Sequence, residues 1–435
     1  MSTSTFIVQP GGKLTGRIRV PGDKSISHRS IMLGSLAEGV TEVTGFLEGE
    51  DNLATLQAFR NMGVAIEGPD AGRVIIHGVG KHGLKSPVNV LDLGNSGTSI
   101  RLLSGLLAAQ QFDTTLTGDT SLSKRPMRRV TEPLAAMGAR VDTSAAGTPP
   151  LHIKGNPHLK GIEYVMPVAS AQVKSCLLLA GLYAEGKTCV TEPAPTRDHT
   201  ERMLQGFGYP VERNGNTVCV TNQGKLMATR IDVPADISSA AFFLVGASIA
   251  PGSDLLLEHV GINPTRIGVI NILRAMGAGI ELSNERVVGG EPVADIRVKG
   301  SQLHGIRIPE DQVPLAIDEF PALFVAAACA EGRTILTGAR ELRVKESDRI
   351  QVMADGLQIL GIDARPTEDG MEMQPGKIGS GRVKSHGDHR IAMAFTMAGL
   401  RASGSIEIED CANVKTSFPD FVSLAGQAGL HLREA

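Results

Sequence analysis

VPGDKSISHRSIMLGSLAEGVTEVTG, from Val20 to Gly45, and VPADISSAAFFLVGASIAPGSDLLLE, from Val233 to Glu258, are two copies of one pattern. Each reads as a strand end, Pro, a small turn residue, Asp, Ser, an apolar helix closed by Gly, and another strand. Four weaker copies follow the same grammar: LDLGNSGTSIRLLSGLLAAQQFDTTLTG from Leu91, MPVASAQVKSCLLLAGLYAEGKTCVTEP from Met166, IDEFPALFVAAACAEGRTILTG from Ile317 and SHGDHRIAMAFTMAGLRASGSIEIED from Ser385. Taking Asp23, Asn95, Ser170, Asp236, Asp318 and Asp388 as equivalent gives separations of 72, 75, 66, 82 and 70 residues. A period of this kind marks a repeat architecture and is read before any motif.

Asp, Asn and Ser at these positions cap a helix by accepting its orphan N–H groups, and the closing Gly suits the other end. Between the six buried helices there is room for a second kind. NLATLQAFRNMG after Asp51, HTERMLQGFG after Asp198, TRIGVINILRAMG after Pro264 and SDRIQVMADGLQILG after Glu346 carry apolar residues at spacings of three and four. These helices are expected to be amphipathic and to face outward. Each unit then reads as βαβαββ, and the fold class is α/β, two similar lobes of three repeats each. The expected lobes are residues 22–234, and residues 1–21 together with 235–435. Two chain crossings, near Pro21 to Gly22 and Pro234 to Ala235, suit a hinged pair around a central cleft.

Composition narrows the function class. The chain has 435 residues, 43 basic and 46 acidic for a net charge of −3, with no block of like charge at either end, so wholesale binding to nucleic acid or an anionic membrane is not expected. The longest apolar runs, near Ala240 to Ala250 and Cys176 to Ala184, fall short of the roughly 18–20 residues that cross a bilayer. The start, MSTSTFIVQPGGK, has no basic segment followed by an apolar run; the expectation is a cytoplasmic protein without a secretory leader. The six repeats use the whole length, so no fused extra domain is expected. Cys176, Cys189, Cys219, Cys329 and Cys411 lie at least 13 residues apart without metal-ligand spacing and read as scattered reduced thiols. Glycine, 51 residues without collagen periodicity, implies many tight turns and short elements.

A helix N-terminus favours anions, through its free N–H groups and its dipole. Positive side chains gather there: Lys24, His28 and Arg29 in the first unit, Arg101 in the second, Lys174 in the third, and His386, His389 and Arg390 in the sixth. Two further clusters lie in loops, Lys124, Arg125, Arg128 and Arg129, then Arg340, Arg343, Lys345 and Arg349. A single such cation is usually a solvated surface charge; the repeated placement beside Gly/Ser/Asp turns points to a polyanionic ligand. Asp318 and Glu319 open an apolar helix, and Glu346 lies between Lys345 and Arg349. Carboxylates beside positive charge stay ionised and can move protons, although Asp318 also reads as a helix cap. The reading is acid–base chemistry on a small, multiply anionic molecule, with neither organic cofactor nor metal demanded. GLYAEGKT, from Gly181 to Thr188, matches the phosphate-loop pattern, but its first Gly ends a helix and its Thr starts a strand, the reverse of the required context.

PGDKSISHR from Pro21, LGNSGTSIRLL from Leu93, KRPM from Lys124, ASAQVKS from Ala169, IDEFP, RVKESDR from Arg343, GDHRIAM from Gly387 and VKTSFPDF from Val414 together resemble the 3-phosphoshikimate 1-carboxyvinyltransferase family, the 5-enolpyruvylshikimate-3-phosphate synthases, within the enolpyruvyl transferases. The resemblance spans nearly the whole chain, in the family's order. It implies the inside-out α/β barrel of that family, a monomer, and a reaction joining phosphoenolpyruvate to shikimate 3-phosphate with release of phosphate, a step toward chorismate and the aromatic amino acids.

The resemblance further implies that Lys24, Ser25, Arg29, Ser170, Ala171, Gln172, Arg197, Asp318 and Lys345 hold shikimate 3-phosphate. Lys24, Gly97, Arg125, Gln172, Arg349, Arg390 and Lys415 would hold phosphoenolpyruvate. Asp318 would take the proton of the 5-hydroxyl, and Glu346, helped by Lys24, would supply one to the methylene carbon. Gly97 keeps the small residue that leaves room for glyphosate in this family, while Leu102 stands where many glyphosate-sensitive members have Pro. The rival enolpyruvyl transferase acting on UDP-N-acetylglucosamine usually carries a Cys in the loop equivalent to Ser121–Arg129, and none is present. A non-catalytic polyanion binder would keep the arginines but have no use for Asp318 and Glu346 together.

Overall fold

The structure is a computed structural model and describes residues 4–435; residues 1–3, part of the stretch read for a leader, lie outside the described residues. In chain order its α-helices are α1 (Lys24–Leu36), α2 (Glu50–Asn61), α3 (Gly97–Ala108), α4 (Arg128–Ala136), α5 (Ala171–Gly181), α6 (His199–Gly206), α7 (Ile237–Ile249), α8 (Gly268–Ala275), α9 (Phe320–Cys329), α10 (Arg349–Ile359), α11 (His389–Ala398) and α12 (Phe421–Ala428). The odd-numbered helices are the repeat's buried ones. In α7 every residue of ISSAAFFLVGASI is buried, as expected of a helix apolar on all sides. The even-numbered helices bury one face, as α8 does through Val269, Ile270, Ile272 and Leu273.

Each repeat closes a small sheet. Strands Leu91–Asp92, Thr114–Thr117, Leu151–Lys154 and Arg140–Asp142 lie side by side in that order. The first pair is parallel, bridged by α3, and the others are antiparallel. The next sheet, Glu163–Val165, Lys187–Thr191, Thr217–Thr221 and Glu212–Asn214, repeats this order. A parallel pair needs a crossover helix and an antiparallel pair needs only a turn, so βαβαββ leads to this sheet directly.

Two compact units result. Among the described residues, one comprises 22–233 with 288–290; the other comprises 4–21, 234–287 and 291–435. Each has its own apolar core. The distribution of strands explains the interleaving. Arg230–Asp232 pairs in parallel with Glu38–Thr44 and completes the first repeat's sheet. Thr15–Ile18 does the same for the fourth repeat, against Asp254–Gly261, and Phe6–Val8 lies between Ile406–Glu409 and Leu432–Glu434 in the sixth. Gly22, where the chain enters the first unit, admits no side chain: a Cβ there would lie 1.8 Å from Gly45 O. No helix among the described residues is long and apolar enough to cross a membrane.

Three expectations need correction. Asn95 is not the cap of α3; Ser96 is, accepting from Ser99 N. Asp318 does not cap α9, which starts after Glu319 without a side-chain cap. At both turns the helix starts one residue later than the repeat alignment places it. The five thiols are not all reduced: Cys189 and Cys219 stand opposite each other on strands Lys187–Thr191 and Thr217–Thr221 and are joined, leaving Cys176, Cys329 and Cys411 free. A separation of 30 residues hides in sequence a contact that only the strand register creates. GLYAEGKT lies as read, with Gly181 ending α5 and Thr188 inside a strand.

Candidate active site

In the unit built from residues 22–233, helix starts deliver the functional side chains. Asp23 accepts from Ile26 N at 2.9 Å and caps α1, which begins with Lys24 and Ser25. The Lys24 ammonium pairs with Asp51 at the start of α2. One turn on, Arg29 is buried; its Nη1 donates to Ser25 O at 3.0 Å, its Nε to Thr200 Oγ1 at 2.7 Å and its Nη2 to Ser175 Oγ at 2.9 Å. The guanidinium thereby ties α1 to α5 and α6. His28, beside it, is fully buried with Nδ1 2.8 Å from Thr55 Oγ1. Burial, reinforced by the charges of Lys24 and Arg29, lowers its pKa well below the usual value, so it stays neutral and supplies no cation for an anion.

Gly97 opens α3. A Cβ there would stand 2.7 Å from Arg125 Nη1 and 3.2 Å from Arg101 Nη1, so glycine at this position keeps the space in which two guanidinium groups meet. Arg125 Nη2 donates to Asn95 Oδ1 at 2.6 Å. Arg101 Nη1 donates to Gln172 Oε1 at 2.6 Å, and Gln172 Nε2 to Thr98 Oγ1 at 3.2 Å. Gln172 lies on the first turn of α5, which Ser170 caps and Ala171 begins. Arg197 precedes Asp198 and α6 and is half-buried. Guanidinium forks and free helix N–H groups together make a surface suited to phosphate and carboxylate oxygens.

Lys174 departs from the sequence reading. It is fully buried, 3.0 Å from Glu192 Oε2 and 2.7 Å from Glu201 Oε1, and so serves the interior rather than a ligand. Its place on the apolar side of α5 decides this, since an ammonium there must find carboxylates.

In the other unit the carboxylates that the sequence singled out converge on one arginine. Arg349 is the first residue of α10 and only 1% of its side chain is exposed. Its Nε donates to Asp388 Oδ2 at 2.8 Å, its Nη1 to Asp318 Oδ1 at 3.2 Å and its Nη2 to Glu346 Oε2 at 2.6 Å. Burial alone would lower its pKa, but Asp388, Glu346 and Asp318 outweigh it and the pKa rises, so the charge is permanent. Lys345 Nζ lies 3.2 Å from Asp318 Oδ1, giving that half-buried carboxylate two cations. Asp318 and Glu346 both remain partly open to solvent.

Asp388, noticed in sequence only as a helix start, performs two tasks: it caps α11 by accepting from Arg390 N at 3.0 Å, and it anchors Arg349. No local signal marks this second task, because Arg349 lies 39 residues away in the chain. Arg390 Nη1 lies 3.9 Å from buried Glu319, which accepts a hydrogen bond from Ser238 Oγ. Lys415 stands apart on the 3-10 turn Ala412–Thr416, exposed, with Glu434 at 3.7 Å.

Comparison with known proteins places the whole chain in a family. A model of the EPSP synthase (3-phosphoshikimate 1-carboxyvinyltransferase) family matches residues 8–424. Relatives named 3-phosphoshikimate 1-carboxyvinyltransferase include one from Methylococcus capsulatus, 74% identical over 427 residues covering 98% of each chain, and one from Nitrosococcus oceani, 70% identical over 99% of this chain and 97% of that one. A solved EPSP synthase from Acinetobacter baumannii superimposes with a TM-score of 0.90 at 63% identity, covering 99% of this chain and 100% of that one. With a match over so much of its length and at such identity, the chain belongs to the EPSP synthase (3-phosphoshikimate 1-carboxyvinyltransferase) family.

Proposed function

We propose that two sets of side chains divide the family's reaction between them. The chain is a transferase of the shikimate pathway: the enolpyruvyl group of phosphoenolpyruvate passes to the 5-hydroxyl of shikimate 3-phosphate, and inorganic phosphate leaves. In the proposed assignment Lys24, Ser25, Arg29, Ser170, Ala171, Gln172, Arg197, Asp318 and Lys345 bind shikimate 3-phosphate. Lys24, Gly97, Arg125, Gln172, Arg349, Arg390 and Lys415 bind phosphoenolpyruvate. The lobe of residues 22–234 serves mainly the first substrate, and the lobe of residues 1–21 plus 235–435 mainly the second.

The observation that carries the chemistry is the pair of carboxylates on one guanidinium, Asp318 at 3.2 Å and Glu346 at 2.6 Å from Arg349. Asp318 accepts the proton of the 5-hydroxyl as its oxygen attacks the central carbon of phosphoenolpyruvate. Glu346, once protonated and assisted by Lys24, delivers a proton to the methylene carbon, giving a tetrahedral ketal. Glu346, left ionised by that transfer, takes a proton back from the new methyl group as the C–O bond to phosphate breaks, which restores the double bond and frees inorganic phosphate. The arginines hold charge without entering the bond changes, because a guanidinium remains protonated throughout. A positioned base or acid contributes about 100- to 10,000-fold each.

Phosphate release from phosphoenolpyruvate, measured with shikimate 3-phosphate, with UDP-N-acetylglucosamine and with neither, tests the reading. Release with shikimate 3-phosphate alone is expected, and Asp318→Ala is expected to lose about 100-fold or more in kcat while still binding that substrate in calorimetry. Release with the sugar nucleotide would overturn the substrate, and an unimpaired Asp318→Ala the base. A monomer of 45.8 kDa in the cytoplasm completes the proposal, with light scattering as its check.

A further inference from the structure

The buried cluster around Lys174 has no part in the chemistry above, yet it lies directly beneath residues assigned to shikimate 3-phosphate. Lys174 follows Gln172 by two residues on α5, and its ammonium bridges Glu192 and Glu201. Arg213 Nη2 adds a contact of 3.3 Å to Glu192 Oε1. Lys174, Glu192 and Glu201 are desolvated while Arg213 reaches them from the surface, and the buried three hold their geometry because loosening one leaves another's charge unpaired in the interior.

Glu192 directly follows strand Lys187–Thr191, and its Oε2 does more than pair with Lys174. It accepts the Thr196 N–H at 3.2 Å and the Thr196 hydroxyl at 2.5 Å. The segment after the strand, Pro193 to Thr196, is thus folded back onto one carboxylate, and Arg197 is the next residue. From the same side, Glu201 of α6 joins the cluster, while its neighbour Thr200 accepts from Arg29 Nε and donates to Ser175 Oγ at 2.7 Å.

We propose that Lys174, Glu192 and Thr196 form a positioning bridge that fixes Arg197 relative to Ser170, Ala171 and Gln172, and so sets the affinity for shikimate 3-phosphate. The inference rests on the assignment of Arg197 to that substrate. None of the three is a catalytic residue; each acts through Arg197. Thr196→Val, which keeps shape and removes one hydrogen bond, is expected to raise KM for shikimate 3-phosphate about 5- to 10-fold, with kcat and KM for phosphoenolpyruvate within about twofold. The effect should vanish in an Arg197→Ala background, since both changes then remove the same contact. Lys174→Met should act in the same selective direction; if it fails to fold, Thr196→Val decides. An unchanged KM in Thr196→Val, or an effect that persists undiminished in Arg197→Ala, overturns the bridge alone. An Arg197→Ala variant with unchanged KM for shikimate 3-phosphate overturns the assignment of Arg197 and the inference with it.

Discussion

Among single residues, the charge a side chain carries here depends on what encloses it. Lys174 and Arg349 are both buried cations near helix starts, yet Lys174 closes an internal cluster while Arg349 presents Asp318 and Glu346 to the outside. His28 shows the third possibility, burial without charge. It faces Thr55 and Ser99 with Lys24 and Arg29 close by, and its pKa lies below the ordinary 6.5. The unfolded chain therefore takes up a proton as pH falls through 6.5 and the folded one does not, so stability is full above that pH and declines below it. The slope approaches ~1.4 kcal/mol per pH unit for one such group. Urea unfolding at pH 7.5 and 5.5 is expected to show a smaller acid loss in His28→Asn than in the parent; equal losses would assign the effect to other groups.

Among elements, the repeat's polar turn is a helix start in all six units, and the side chain that caps it is the expected one in Asp23, Ser170, Asp236 and Asp388. The two exceptions, Ser96 and the uncapped α9, occur where the turn is also used to place Gly97 and Asp318. The joined cysteines illustrate the opposite case, a contact with no local signature. Strand register places Cys189 against Cys219, while of the remaining thiols Cys176 and Cys411 are buried and Cys329 half-buried, with the pKa of each of the three pushed up to about 12 by desolvation. Thiol titration is therefore expected to be slow on the native protein and to count three groups in denaturant without reductant. A count of five would mean that the pair is a dithiol, the state that a reducing compartment favours.

At the scale of the molecule, the chain order and the folding units do not coincide. Phe6–Val8 is an interior strand of a sheet whose other members lie beyond residue 380, and Leu14, Ile18 and Val20 are buried in the same core as α7 and α9. A fragment of residues 22–233 contains all strands of its three sheets, including Arg230–Asp232. It is expected to melt cooperatively by itself. A fragment of residues 234–435 lacks an interior strand and should show no cooperative melt until a peptide of residues 4–21 is added. Independent folding of that fragment without the peptide would remove the structural role given to the first strands.

The sequence by itself determined the α/β class, the six helix starts, the family and the residue types at the site, because each depends on near neighbours: a capping side chain, a three-and-four apolar spacing, a motif of five to nine residues. Tertiary structure alone decided that Lys174 serves the interior, that Asp388 anchors Arg349, that Cys189 meets Cys219, and that the first strands complete sheets formed hundreds of residues later. Those outcomes depend on strand register and on which face of a helix is desolvated. Both arise only when distant segments pack, and no local pattern encodes them.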